Sequence, residues 1–222
     1  MEQQFQYYAF ISYKREDEKW AKWLQDRLRW YKLPSKLCRQ ITRLPKKVWP
    51  VFRDNTDLDS GRLEENIRHE LERSHYLIVI CSPEAARSPW VGKEVKYFAT
   101  LHGADKIIPF VVSGIPYSND IETECIHEQI KAISQEELLA INVREEGIGS
   151  FAMKKKRAFI RVVARLLDIK FNTLWQPYER ILRIRKWSTG IGVVLFLFVL
   201  FILWDYYRTK NEYFADYVDR WG

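Results

Sequence analysis

The sequence predicts an α/β fold with a mostly parallel sheet covered on both faces. Short β-branched and aromatic runs at Gln6 to Tyr13 (QYYAFISY), Tyr76 to Cys81 (YLIVIC) and Lys106 to Val112 (KIIPFVV) lack the alternation of half-exposed strands, so each reads as buried on both sides. Between them lie segments whose apolar residues recur three to four apart, the period of a helix lying on a sheet. Regular alternation of the two is the pattern of parallel strands joined by crossover helices. With 222 residues there is room for one domain of ordinary size and something more, and a 47% hydrophobic content is enough for a packed core.

In chain order, the first strand ends in Lys14, Arg15, Glu16 and Asp17, followed by a helix with Trp20, Trp23, Leu24, Leu28 and Tyr31 on one side. Polar residues between a strand and a helix sit at the carboxyl edge of the sheet, where open α/β folds bind ligands. Residues 32–47 form a basic loop with Pro34 and Pro45 and no clear period. Val48 to Phe52 is a second strand whose internal Pro50 argues for an edge or irregular position. Arg53 to Gly61 (RDNTDLDSG) is dense in turn formers and acids, and Leu63, Ile67 and Leu71 mark the next helix.

The third strand leads into Ser82 to Leu101, SPEAARSPWVGKEVKYFATL, the segment the rest of the chain is arranged around. Ser88 reads as an N-cap and Pro89 as the first helical residue. Val91, Val95 and Phe98 then make an inward face, with Trp90, Glu94 and Tyr97 on a neighbouring one. Residues four apart sit one above the other, so the Trp90 indole and the Glu94 carboxylate can touch one ligand. Taken alone, such a pair is ordinarily a core tryptophan and a solvated glutamate. Beyond the fourth strand come an irregular acidic segment from Pro116 to Gln129, a weak strand around Leu139 to Val143, and a long amphipathic helix carrying Phe159, Ile160, Val163, Leu166 and Leu167.

Charge and composition remove several function classes. The balance of 36 Lys and Arg against 29 Asp and Glu gives +7, gathered at Lys32 to Lys47, Lys154 to Arg165 and Arg180 to Lys186, with no RNA-binding signature or zinc-finger spacing. No nucleic-acid partner is expected. Cys38, Cys81 and Cys125 are odd in number and far apart, which reads as free thiols in a reducing compartment. The four histidines show no spacing that pairs them with cysteine or acid, so no metal site is expected.

Trp187 to Trp204, WSTGIGVVLFLFVLFILW, holds no charged residue. Eighteen residues at about 1.5 Å each reach roughly 27 Å, near the hydrocarbon thickness of a bilayer. Trp187, Trp204, Tyr206 and Tyr207 supply candidate interfacial aromatics, and Arg180, Arg183, Arg185 and Lys186 load the amino-terminal side. The expectation is a single-pass protein of the inner or plasma membrane with its large domain cytoplasmic. The expected division is 1–170 globular domain, 171–186 basic juxtamembrane linker, 187–204 transmembrane helix and 205–222 short outer tail. No signal peptide precedes the first strand, and the chain is expected to continue past Gly222.

FISYKRED at Phe10 to Asp17, VFRDNTDLDSG at Val51 to Gly61 and SPWVGKEV at Ser88 to Val95, in this order, resemble the motifs of a bacterial-type Toll/interleukin-1 receptor (TIR) domain. The resemblance covers roughly residues 5 to 170. It implies a flavodoxin-like five-stranded parallel sheet flanked by helices, and either of two roles: a scaffold for TIR–TIR assembly or an enzyme that cleaves NAD⁺. Catalytic members carry a glutamate near the start of the helix after the third strand, often preceded four residues earlier by tryptophan. Glu94 and Trp90 match those positions. By the same resemblance Phe10, Ser12, Tyr13, Lys14 and Arg15 line the other side of the pocket, the two cations meeting a pyrophosphate. Asp54 opens the family's mobile loop, where it positions substrate or makes a turn.

Two departures stand out. Ser60 precedes Gly61 where many members have Pro-Gly, and the Phe-Trp motif of animal members is only loosely echoed by Phe171 and Trp175. There is no GxGxxG after the first strand, so NAD⁺ is expected as a substrate consumed and not as a resident cofactor. The expected function is a membrane-anchored NAD⁺ hydrolase or cyclase activated by self-association, acting in bacterial antiviral defence or cell death. The alternative is a catalytically silent adaptor that recruits other TIR domains. A third reading makes the membrane segment the effector and the globular domain its gate.

Overall fold

The computed structural model describes residues 5–41, 44–45, 47–53, 61–133, 140–144, 149–176 and 194–208. The chain divides into two compact units, Met1–Phe171 and Asn172–Gly222.

Five strands form the sheet of the first unit: β1 (Tyr7–Ser12), β2 (Val51–Arg53), β3 (Ser74–Cys81), β4 (Ile107–Val111) and β5 (Ile141–Asn142). They lie in the order β2-β1-β3-β4-β5, every neighbouring pair parallel. This is the flavodoxin-like order, whose chain reverses direction of travel between β1 and β3. The helices are α1 (Glu18–Trp30), α2 (Ser35–Gln40), α3 (Gly61–Glu72), α4 (Pro83–Ala86), α5 (Pro89–His102), α6 (Glu128–Ile133) and α7 (Phe151–Leu166). Three of these, α2, α4 and α6, are short and lie where the sequence shows no helical period. The second strand is at the sheet edge and starts at Val51, later than the expected Val48: Pro50 has no N–H to donate, and only its carbonyl meets β1, accepting from the Tyr8 N–H at 2.7 Å.

Alternation along each strand sends successive side chains to opposite faces. Phe10, Leu77, Val79, Cys81, Ile107 and Val111 point to one face, where they pack with Ile67 and Leu71 of α3, Val91, Val95 and Phe98 of α5, and Ile130 of α6. On the other face α1 buries Ala21, Leu24 and Leu28, while Trp23 stacks on Phe110 and meets the edge of Phe159 from α7. The stripe at positions 91, 95 and 98 thus fixes which way α5 is rolled. Phe98 is completely buried at the centre of that layer.

The second unit contains residues 194–208, which are helical and expose Val194, Leu195, Phe196 and the apolar residues that follow to Trp204. Among the described residues no helix is long and apolar enough to cross a membrane. The span expected at 187–204 is therefore not shown: residues 187–193 lie outside the described ones, and what is described is shorter than the roughly 20 apolar residues a bilayer requires.

At the amino-terminal end of the sheet, Phe5 stacks on His75 with ring centroids 4.8 Å apart, and His102 packs edge-on to Phe5 and against Phe98. Burial lowers the pKa of both imidazoles, and Lys106 adds to the effect at His75. Below the unfolded histidine value of about 6.5 the unfolded chain then binds more protons than the native one, so stability present above that pH is lost as pH falls through it. Urea midpoints are expected to fall between about pH 7.5 and about pH 5, and to fall less steeply in His75→Phe. Separately, Phe98→Ala should cost about 3–5 kcal/mol of unfolding free energy by emptying the centre of the α5 layer, read from denaturant curves.

Candidate functional site

Helix α5 begins at Pro89, as the Ser88-Pro89 pair predicts, but the Ser88 side chain makes no capping bond. The capping serine is six residues earlier: Ser82 Oγ accepts from the Ala85 N–H at 3.1 Å and starts α4. The same hydroxyl donates to Asp17 Oδ2. Asp17 stands at the start of α1 without capping it. The bond therefore joins the turn after β1 to the turn after β3, on either side of the point where the sheet order reverses. Burial raises the Asp17 pKa, the Ser82 bond partly offsets this, and Glu84 and Glu16 push it further up.

From α5 the residues Trp90, Glu94 and Tyr97 face α3 across a cleft of about 290 Å³, floored by Ile67 and Leu71. Three cations line it, Arg68, Lys93 and Lys96. The Lys93 ammonium lies 4.6 Å from the centre of the Trp90 ring and the Arg68 guanidinium 5.4 Å from that of Tyr97, both within cation–π range. Tyr97 Oη donates to Glu72 Oε1 at 2.5 Å, which ties the two helices together across the cleft. Trp90 is 41% exposed, too open for a core tryptophan and well placed to meet a flat ligand. Three positive groups around one carboxylate favour an anionic ligand that also carries a cationic or electron-poor centre.

The residues expected from the first motif do not share one location. Phe10 is completely buried, where it stacks on Phe52 with ring centroids 5.2 Å apart. Ser12 pairs in register with Val79 and so points to the same face as the α3 and α5 layer. Its Oγ is buried with no hydrogen-bond partner among the described residues. Buried polar atoms are rarely left so, and one at the carboxyl edge of a strand is positioned for a bound group. Tyr13 turns the other way. Its hydroxyl accepts from Arg53 Nη1 at 3.0 Å, and Arg53 also bonds Gln25 and Glu18 of α1. Lys14 precedes the short 3-10 turn Arg15–Asp17, and Arg15 is exposed there. Neither cation, nor Phe10, Ser12 or Tyr13, is among the described walls of the α3–α5 cleft. Asp54 and Ser60 lie outside the described residues.

Sequence reasoning missed Arg68, Lys93 and Lys96 as site residues because each reads as an ordinary surface cation. Only Lys93 carried a signal, as spacing: positions 90, 93, 94 and 97 fall on one helix face. Cys38, Cys81 and Cys125 are all unpaired thiols, and burial pushes the Cys125 thiol up to about 12, well away from a reactive thiolate. Among the described residues no group of three or more His, Cys, Asp or Glu could hold a metal ion.

Comparison with known proteins adds three findings. The chain is 36% identical over 110 residues to the NAD(+) hydrolase ApTIR of Actinoplanes sp., a match that spans 49% of this chain and 14% of that relative. It is similar at 14% identity to the TIR domains in a structure of the activated Roq1 resistosome recognizing the pathogen effector XopQ, with a TM-score of 0.45, covering 69% of this chain and 98% of that one. Residues 9–146, well over half of the chain, match the profile of the TIR domain, and together with the five-stranded parallel sheet this places the chain in the TIR domain family.

Proposed function

We propose that this chain is an NAD⁺ nucleosidase in which Glu94 stabilises the cation formed when the nicotinamide–ribose bond breaks. The observation that carries the reading is the cleft wall on which Trp90 and Glu94 stand together, ringed by Arg68, Lys93 and Lys96. The 36% identity to a bacterial NAD(+) hydrolase supports it.

The chemistry requires little of the protein. Most glycosidases use two carboxyl groups because the leaving oxygen must be protonated. Nicotinamide in NAD⁺ is already a cationic pyridinium and departs neutral, so no general acid is needed. The bond electrons leave with the ring nitrogen, and the ribose carbon becomes an oxocarbenium ion. A carboxylate held close to that carbon in a water-poor cleft lowers the barrier electrostatically. Trp90 offers a flat wall to the reacting end, and the three cations attract the pyrophosphate. Water capturing the cation gives ADP-ribose, and a ring nitrogen of the same substrate gives a cyclic product.

Self-association and attachment to a bilayer through residues 187–204 belong to the same proposal. The uncharged run and the exposed apolar side chains from Val194 to Trp204 support attachment. The TIR domain would then face the cytoplasm, crowded on a surface where weak TIR–TIR contacts are favoured by effective concentration. Depletion of NAD⁺ on clustering suits a defence or cell-death effector.

Purified protein clustered on vesicles is expected to consume NAD⁺, and Glu94→Gln, which keeps shape and removes charge, should lower the rate by at least about 10²-fold. A Glu94→Gln protein with wild-type turnover would overturn the catalytic assignment. Absence of turnover in the clustered wild type would leave the adaptor role. In cells, the full chain should stay with membranes through alkaline carbonate washing, and a chain ending before residue 187 should be released.

A further inference from the structure

His127 packs on the side of α5 that faces away from the cleft, and nothing in the proposed chemistry uses it. Its Nδ1 accepts from the backbone N–H of Gln129 at 3.0 Å. A backbone nitrogen can only donate, so the neutral ring carries its proton on Nε2, which donates to the Ser88 carbonyl at 3.1 Å. That carbonyl also accepts the first bond of α5, from the Gly92 N–H at 3.2 Å. The imidazole lies directly on Gly92: a Cβ there would meet Cε1 at 2.5 Å and Nε2 at 2.7 Å. Glycine inside a helix is less favourable than alanine, and here the close approach of the ring accounts for it.

Each residue of a helix turns it by about 100°, so Trp90 and Glu94, each two positions from Gly92, project about 200° away from it. The imidazole and the cleft therefore hold opposite sides of the same turn. Because the Ser88 side chain makes no capping bond, the start of α5 lacks the usual side-chain anchor. Its first turn is instead met on the side opposite the cleft by a ring that bonds the first carbonyl and rests on a glycine.

We infer that His127 and Gly92 form a backstop that sets how far the first turn of α5 stands from α3, making His127 a positioning residue for Trp90 and Glu94. This rests on the reading of Glu94 as the group that meets the substrate. Burial lowers the imidazole pKa, opposed by the bond to the Ser88 carbonyl and then by Glu128, and the net lowering suits a ring that must accept at Nδ1.

Two substitutions in the full chain separate the ring's bonds. His127→Gln carries an amide donor far enough to reach Ser88 but gives up the acceptor for Gln129. His127→Asn keeps that acceptor and is too short for Ser88. The expected result is that His127→Asn lowers kcat for NAD⁺ about tenfold with KM changed by less than about twofold, because the wall is misplaced and not removed, while His127→Gln stays within about threefold of wild type. Amide exchange of residues 92–95, followed by mass spectrometry, should quicken in His127→Asn and not in His127→Gln. Equal kcat and equal exchange in wild type and both variants would overturn the backstop. If the wild type consumes no NAD⁺, the catalytic reading fails, and the exchange comparison still decides whether His127 holds the turn.

Discussion

The seating of α5 on the sheet is the constraint on which the site depends. Val91, Val95 and Phe98 are buried against Leu77, Val79, Ile107 and Val111, and that stripe allows α5 only one roll about its axis. Fixing the roll fixes where the rest of the helix points. Trp90, Glu94 and Tyr97 then have no choice but to face α3, and the cleft exists because Ile67 and Leu71 of α3 pack on the same layer. The hydrophobic effect sets the roll, and polar groups refine the translation. Asp17 and Ser82 join the two turns at the reversal of strand order, Tyr97 and Glu72 join α5 to α3, and His127 meets the start of the helix from behind. Each is a single bond between elements far apart in sequence.

Legibility in the sequence followed the range of the interaction. Strands β1, β3 and β4 were readable because each is buried on both faces and so is apolar almost throughout. The start and inward stripe of α5 were readable because a proline and a 3.6-residue period are local signals. The short helices α2, α4 and α6, of four to six residues, were not, since so few turns establish no period. Ser88 is the N-cap residue of α5 as its place before Pro89 indicates, but its side chain makes no capping bond; the serine that does make one is Ser82, six residues earlier, at the start of α4.

The site was legible where one helix carries it and illegible where the tertiary fold assembles it. Trp90 and Glu94 four residues apart had to share a face. Phe10, Ser12 and Tyr13 are also local to one another, yet strand alternation and the pull of Arg53 distribute them: Phe10 into the core, Ser12 towards the α3–α5 layer, Tyr13 to the α1 side. Their resemblance to a motif locates the strand end and leaves the direction of each side chain undecided. Gly92 did carry a readable signal, a glycine in the middle of an otherwise strong helix, but its cause lies 35 positions further on at His127.

The two strands that border the sheet are very short as described, three residues in β2 and two in β5. Their outer edges offer few unpaired N–H and C=O groups, and on β2 the Val51 carbonyl is already taken by Gln25. A longer bare edge would template the addition of another chain's strand, with the near-irreversible pairing that drives fibre growth. Among the described residues the sheet offers that route little edge. Contacts between copies of such a domain would then fall on helix and loop surfaces, and side-chain contacts of that kind form and dissolve with concentration, so that any assembly made from them is reversible.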